Sequence, residues 1–335
     1  MTDDLTPLFS LLNMTGGYAV SRVLMVAGKF GLFSPPFDPI TPGGLAARRH
    51  LSEKGSRLLL DALTSLNFFE KIGNTYRVRG DLRRCLEQFP ELYWDLIHQD
   101  HLYDVWKRLE KGIQAGRAPS PPKEVLKHYP TSLEIFLRAM RVHAILLAPE
   151  IIAALPWRGI HHLLDIGGGG AGFAHFLTRR YNDLRVMLYD LPDAVTLTKK
   201  IISDQPGADR ITLRAGNAYS DPLPAGPFDR ILISHLLHIY SPEDNCRLLV
   251  KAASHLKPGG DLLLVDYFLD ASETAPREAV LFRLLMMIGT PEGDGYSISS
   301  AHRWLEGAGL IPTPPVRLSR GNTLLAGRKP GGPSA

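Results

Sequence analysis

Residues 163–172, Leu-Leu-Asp-Ile-Gly-Gly-Gly-Gly-Ala-Gly, carry the spacing in this chain most suited to chemistry. An apolar run ending on the carboxylate of Asp165 reads as a buried parallel strand. The four glycines after it permit a turn that side chains would block. Phe173-Ala174-His175-Phe176-Leu177 then follows with helical spacing. Strand, glycine turn and helix together make a nucleotide-cofactor site at the carboxyl end of a sheet, where a ligand meets bare backbone. Gly167, Gly169 and Gly172 also fall in the G-x-G-x-x-G register of a dinucleotide site. Asp165, directly before the turn, would oppose a diphosphate and suits a cofactor carrying a cation and no phosphate. S-adenosylmethionine, with its ammonium and sulfonium, has that character. Asp190 ends the next apolar run, residues 186–189, 25 residues after Asp165. It is placed to accept both hydroxyls of a ribose under either reading.

Other residue sets carry less. His98 and His101 share a helical face, and His161 and His162 are neighbours, but no carboxylate or cysteine is spaced to complete a metal site. Cys85 and Cys246 stand far apart, which suits a reducing compartment and no disulfide framework. A hydrophobic share of 44% over 335 residues fits a soluble globular chain with room for two cores. No apolar span is long enough for a bilayer, and no export signal opens the chain, so a cytoplasmic protein is expected. The net charge of +4 is only mildly basic, as a solvated surface of mixed sign would be.

The elements that must position these residues follow in order. Residues 5–33 read as one helical region with Val20, Val23, Leu24, Ala27 and Phe30 on a stripe, ended by Gly31. Two further helical patterns run up to Leu66, and residues 68–78 read as a hairpin turning at Gly73-Asn74. Helices before a hairpin look like a winged helix. Arg48, Arg49, Arg77, Arg79, Arg83 and Arg84 make DNA binding one reading of it, and a dimerisation module the other. Residues 94–113 and 132–155 read as long helices on either side of a Pro-rich linker at 118–122. From residue 160 onward strands at 163–166, 186–190, 211–214, 230–234, 261–266 and 323–326 alternate with helices, and Lys257-Pro258-Gly259-Gly260 reads as a tight turn. Such alternation means an α/β fold with a doubly wound, mostly parallel sheet.

Taken together, Asp165-Ile-Gly-Gly-Gly, Asp190-Leu191-Pro192, Ala215-Gly216-Asn217, Leu237-His238-Ile239-Tyr240 and Lys257-Pro258-Gly259-Gly260 resemble the S-adenosylmethionine-dependent small-molecule O-methyltransferases. The likeness is to the plant caffeate and bacterial antibiotic-pathway type with an N-terminal winged-helix-like dimerisation domain. It implies a Rossmann-like, seven-stranded sheet and no metal. It implies that Asp165, Gly167, Gly169, Asp190, Leu191, Asn217, Ala218 and Ser234 hold the cofactor, with S-adenosylhomocysteine as product. Asn217 stands where an Asp is usual, Ala171 replaces a third glycine, and Ser234 replaces a Lys or Arg near the adenine. His238 matches the general base and Asp266 its first supporting carboxylate. The second carboxylate falls on Gly295, leaving Glu292 or Asp294 to substitute. Tyr240 is similar to the tyrosine given the proton chemistry in C-methylating relatives acting on chlorophyll-type rings. Phe136, Met140 and His143 match the acceptor-lining helix, and Met286 and Met287 its methionine wall.

The reading is a homodimeric methyltransferase acting on a hydroxyl of a small ring-bearing metabolite. Residues 1–115 form the dimerisation domain, 116–158 a linker and substrate-lining helices, 159–329 the cofactor domain and 330–335 a tail. Two other classes compete: a cofactor-binding relative with decarboxylating or hydroxylating chemistry, and a winged-helix regulator sensing the cofactor. No nucleic acid and no membrane is expected as a partner.

Overall fold

The computed structural model describes residues 5–119 and 132–331, so most of the Pro-rich linker and of the tail lies outside the described residues. The chain divides into two compact units, Met1–Tyr103 and Asp104–Ala335.

In the first unit the opening helical region is two helices, Thr6–Thr15 and Gly17–Lys29. The break falls at the Gly16-Gly17 pair, where helix propensity is lowest. Most of the expected stripe is inside this unit: Ala27 is buried, and Val23, Leu24 and Phe30 pack on a core built around Leu60, Leu63, Phe69 and Tyr76. Leu8, Phe9, Leu11, Leu12 and Met14, on the helix before it, are instead at least 50% exposed. Helices Pro42–Arg49 and Glu53–Ser65 start on Thr41 and Ser52, whose hydroxyls accept from Gly44 N at 3.1 Å and Gly55 N at 3.0 Å. The hairpin follows as β1 (Phe69–Ile72) and β2 (Thr75–Val78), turning at Gly73 with φ +60°. Three of the arginines in and just after the hairpin are already paired, Arg77 with Glu70, Arg79 with Asp81 and Arg83 with Glu87. The stretch expected as one helix over 94–113 is two, Leu92–Trp106 and Leu109–Ala115. Arg108 N turns back on Val105 O at 3.0 Å between them, a tightened last turn.

In the second unit the strands are β3 (His162–Ile166), β4 (Arg185–Asp190), β5 (Ile211–Ala215), β6 (Phe228–Ser234), β7 (Leu256–Asp266), β8 (Ile311–Pro312), β9 (Val316–Arg317) and β10 (Thr323–Arg328). They form one sheet in the order β5-β4-β3-β6-β7-β10-β8, with β9 also on β10; β5 to β7 run parallel and β10 antiparallel. The count is thus eight, because the segment before β10 touches it twice through two-residue strands too short to read from sequence. Leu163, Val186, Leu188, Leu232 and Leu263 face one core, and Leu164, Ile166, Ile231, Ile233, Leu262 and Leu264 face the other. That alternation is the two-sided burial of a doubly wound sheet.

The stretch Lys257-Pro258-Gly259-Gly260 is a bulged part of β7 and not a tight turn. Gly259 takes φ +77°, yet its N–H bonds Lys329 O at 3.0 Å and Gly260 O accepts from Lys329 N at 2.8 Å. From Phe228 to Arg230 β6 advances two residues while β7 advances five, from Leu256 to Asp261, and the three extra residues are absorbed before the pairing resumes.

Candidate active site

The glycine turn is shaped by backbone bonds to the neighbouring strand. Gly167 and Gly169 hold φ +71° and +51°, conformations that suit glycine. Gly167 N donates to Tyr189 O at 2.8 Å, and Gly169 N to Asp190 Oδ2 at 2.8 Å. Asp190 Oδ1 accepts from Leu191 N at 2.7 Å, so this carboxylate clamps the turn through both oxygens. Burial pushes its pKa up, while the two backbone donors oppose the shift. Gly170 and Gly172 serve packing: a Cβ on Gly170 would strike Leu137 O, and one on Gly172 would stand 2.5 Å from Ala144 Cβ. The long helix Ser132–Ala154 can therefore lie directly on the turn. From it the buried Arg141 donates to Gly170 O at 3.1 Å and Ala171 O at 3.2 Å.

Asp165 is buried beneath this turn, and neither of its carboxylate oxygens has a hydrogen-bond partner. Burial, with the Asp190 charge adding to it, pushes its pKa up to about 7. An unpartnered buried acid is costly unless a cation compensates it. The residues present therefore fit a cofactor with a positively charged methionine end. The Cβ direction of Gly169 meets nothing nearer than Leu137 Cδ2 at 3.7 Å, which leaves room beside the turn. Leu191 is 47% exposed, an apolar side chain open to a flat ring. Asn217 Oδ1 accepts from Tyr219 N at 3.0 Å, which orients the amide with Ala218 buried behind it. Asp165, Asp190 and Ser234 occupy the same parity as Leu163, Leu188 and Leu232 in a parallel register, so all three belong to one face of the sheet.

His238 and Asp266, 28 residues apart in the chain, meet at the ends of β6 and β7. Nδ1 of His238 lies 2.8 Å from Asp266 Oδ1 and 3.0 Å from Oδ2. Burial by itself would raise the Asp266 pKa, but His238, and then His235, hold it below the ordinary value. An ionised carboxylate only accepts, so Nδ1 carries the hydrogen and Nε2 is the ring nitrogen that Asp266 does not engage. The backbone of this turn is held by Asn245, whose Nδ2 donates to Leu237 O at 2.9 Å and Tyr240 O at 3.3 Å.

Neither expected substitute for the second carboxylate meets the imidazole as a hydrogen-bond partner. Asp294 pairs with Arg283 Nε at 2.7 Å and offers His238 only its backbone N–H, 3.0 Å from His238 O. The direction a Cβ on Gly295 would take is filled by Arg283, 2.9 Å away. Arg283 also pairs with Glu273 at 2.7 Å. A closed ion cluster occupies the place, and Asp266 is the carboxylate that His238 meets through its ring.

Tyr240 stacks on Tyr219 with centroids 3.5 Å apart. Burial raises its pKa, with Asp190 and then Asp244 adding to the shift. Its hydroxyl thus senses the acid of the cofactor side. Phe136, Met140 and His143 share one face of Ser132–Ala154 by spacing, with Phe136 41% exposed. His143 is near enough to His235 to add to the effect of burial in lowering the His235 pKa. On the helix Arg277–Gly289, Phe282 and the buried Met286 lie one turn apart and Met287 is half-buried. The Phe282 ring makes a T-shaped pair with His238, centroids 4.7 Å apart, and a tilted one with Tyr267, centroids 4.5 Å apart.

Arg141, His235, Tyr267, Phe282 and Asn322 were not singled out from sequence. A cation in an apolar helix and a second histidine three residues before His238 were the available signals. Among the described residues no three His, Cys, Asp or Glu side chains converge as a metal site needs.

Residues 116–310 match the O-methyltransferase domain family. The chain is 27% identical over 328 residues to the tetracenomycin polyketide synthesis 8-O-methyl transferase TcmO of Streptomyces glaucescens, covering 96% of each. It is 26% identical to the N,N-dimethyltransferase OxyT of Streptomyces rimosus, again covering 96% of each. In fold it is similar to human N-acetylserotonin methyltransferase solved in complex with S-adenosylmethionine, with a TM-score of 0.85 at 22% identity, covering 98% of this chain and 100% of that one.

Proposed function

Because the chain belongs to the O-methyltransferase family, we propose that it transfers the methyl group of S-adenosylmethionine to a hydroxyl of a small aromatic or polycyclic metabolite, with His238 as general base. The observation that carries the reading is the His238–Asp266 pair opening beside a glycine turn with an unpartnered buried acid.

When bound, S-adenosylmethionine supplies an electrophilic methyl on a sulfonium, which leaves as the neutral thioether of S-adenosylhomocysteine. Gly167 and Gly169 let the backbone approach its methionine end, above Asp165. Arg141 brings a buried cation to the turn for the methionine carboxylate. Asp190 takes the ribose hydroxyls with lone pairs not used by Gly169 and Leu191, and Leu191, Asn217 and Ala218 flank the adenine. Tyr240, stacked on Tyr219, walls the cofactor and leaves the proton to His238.

His238 Nε2 would accept the acceptor's hydroxyl proton as that oxygen takes up the methyl group. Asp266 orients the ring and offsets the charge it gains. Phe136, Met140, His143, Phe282, Met286 and Met287 supply an apolar wall suited to a planar ring. Tight positioning of oxygen against methyl contributes much of the rate.

Residues 1–115 serve as a dimerisation domain, the 116–158 segment brings the acceptor wall, and 159–329 hold the cofactor. Dimerisation rests on the exposed apolar face of Thr6–Thr15, which a second copy would cover. The free Cys85 and Cys246 suit a reducing, cytoplasmic location. No described helix is long and apolar enough to cross a membrane.

The test is S-adenosylhomocysteine release on a panel of hydroxylated, amine-bearing and carbon-nucleophile rings. Methylation of a hydroxylated ring, lost in His238→Ala, is the expected result. Turnover confined to carbon or nitrogen acceptors would overturn the hydroxyl assignment.

A further inference from the structure

His235 is the second histidine beside Asp266, and both its ring nitrogens are committed. Asn322, on the approach to β10 and 2% exposed, donates through Nδ2 to Ser319 O at 3.1 Å and Arg320 O at 3.4 Å. That fixes its amide so that Oδ1 faces His235 Nε2 at 2.8 Å. An amide oxygen only accepts, so Nε2 carries the hydrogen. Burial, which outweighs the pull of Asp266 toward the charged ring, favours neutral His235; His238 and His143 act in the same direction as burial. Nδ1 of that neutral tautomer is an acceptor, and the hydrogen between it and Ser234 Oγ, 2.9 Å away, is the hydroxyl's own. His235 also holds φ +51°, a conformation uncommon outside glycine and asparagine. Its ring packs edge-on to Tyr267 with centroids 5.4 Å apart.

We propose that His235 is a positioning residue which, locked by Asn322, turns the Ser234 hydroxyl into a fixed hydrogen-bond acceptor for the ammonium group of the bound methyl donor. The inference rests on the reading of the glycine turn as an S-adenosylmethionine site. Ser234 is one residue beyond Ile233, the register partner of Ile166, and Gly167 is one residue beyond Ile166. The hydroxyl therefore stands across from the glycine turn, on the same face as Asp165, and is assigned to the methionine end in place of the adenine that the resemblance implied. Asp190 lies on the opposite side of that turn, on β4, so a cofactor with its ribose there extends its methionine end toward β6. A lone pair from Ser234 and the charge of Asp165 then converge on the cationic end.

The test uses His235→Asn and His235→Gly, both compatible with a positive φ, so that backbone strain is matched while only Asn retains an acceptor near the Nδ1 position. Calorimetric titration of the full chain with S-adenosylmethionine and S-adenosylhomocysteine should show His235→Gly binding both about tenfold to a hundredfold more weakly, the scale of a lost hydrogen bond to a charged group. His235→Asn should recover most of that loss. In a Ser234→Ala background, His235→Gly should add less than about twofold, since the two residues act as one unit. Undiminished binding by His235→Gly, or an equal loss with Ser234 already removed, would overturn the proposal. Native protein that binds neither ligand would instead remove the cofactor reading itself, and this inference with it.

Discussion

The two halves of the sheet's carboxyl edge are built in opposite ways. On the β3–β4–β5 side the site is mostly backbone and local: glycines, a carboxylate accepting from the N–H groups of Gly169 and Leu191, and residues immediately following each strand. On the β6–β7 side it is made of side chains that meet across the fold: His238 with Asp266 from the next strand, and His235 with Asn322 87 residues away. On the proposed function, the first half would present a surface to a cofactor of fixed shape. The second would hold a proton acceptor rigidly while leaving its surroundings (Phe282, Met286, the face of Ser132–Ala154) free to differ with the acceptor. The contrast teaches that binding and base chemistry can be disturbed separately.

The sharpest way to break that separation is His238→Ala. Turnover should fall about a hundredfold to ten-thousandfold, the range of general base catalysis, while cofactor affinity stays within the error of a titration. A matching loss of affinity would show the halves to be one unit. Asp190→Ala should do the converse, weakening the cofactor by roughly 1.5–3 kcal/mol with turnover at saturation far less affected. It should also lower the melting temperature, because Gly169 N loses its partner.

Gly170→Ala tests the packing beneath the turn. Its Cβ would strike Leu137 O, so a denaturant midpoint should report a loss of about 1–3 kcal/mol, as overpacking costs. Gly169→Ala meets no such obstacle and should fail through its left-handed backbone instead, with the larger share of the damage in cofactor binding.

Asp165 sharpens the comparison through pH. Its folded pKa stands near 7 against an ordinary 3.8, so the folded chain binds the extra proton. The stability this contributes is complete below about pH 4 and is lost as pH rises toward 7, then stays level. Calorimetric melts should show the advantage of the native chain over Asp165→Asn shrinking across that window. Binding of a cationic cofactor should release protons between pH 5 and pH 7, read as buffer-dependent heats, and the Asn variant should not. The smallest effect expected is from Tyr240→Phe: a change in turnover below about tenfold, the scale of one neutral hydrogen bond. A loss equal to that of His238→Ala would move the proton chemistry to the tyrosine.

Much of this arrangement was legible in the order of residues. The six long strands, the hairpin, the glycine turn with its flanking acids and the alternation of layers all follow from apolar period, Gly placement and strand-terminal carboxylates. These are signals carried within about ten residues, and local backbone physics decides them. Helix continuity was less legible: residues 5–33 and 94–113 keep their apolar spacing through breaks at Gly16-Gly17 and Arg108, since periodicity counts faces and not hydrogen bonds. Lys257-Pro258-Gly259-Gly260 has the composition of a turn, and only the pairing of Gly259 and Gly260 with Lys329 keeps it in the strand.

What the chain alone determined is therefore the scaffold and the glycine turn with its flanking acids, while His238 and Asp266 entered as a candidate pair through the family resemblance. Tertiary structure alone decided that Asp294 does not join Asp266 at the imidazole, because Arg283 captures Asp294 in space without any mark in the spacing. It likewise decided that Val23, Leu24 and Ala27 face their own core while Leu8, Phe9 and Leu12 do not. The tautomer of His235 belongs to the same class, since it depends on an amide whose direction is set by two carbonyls in the turn before β10. Hydrogen-bond direction and charge pairing are properties of distance, and distance between residues remote in sequence exists only once the chain has folded.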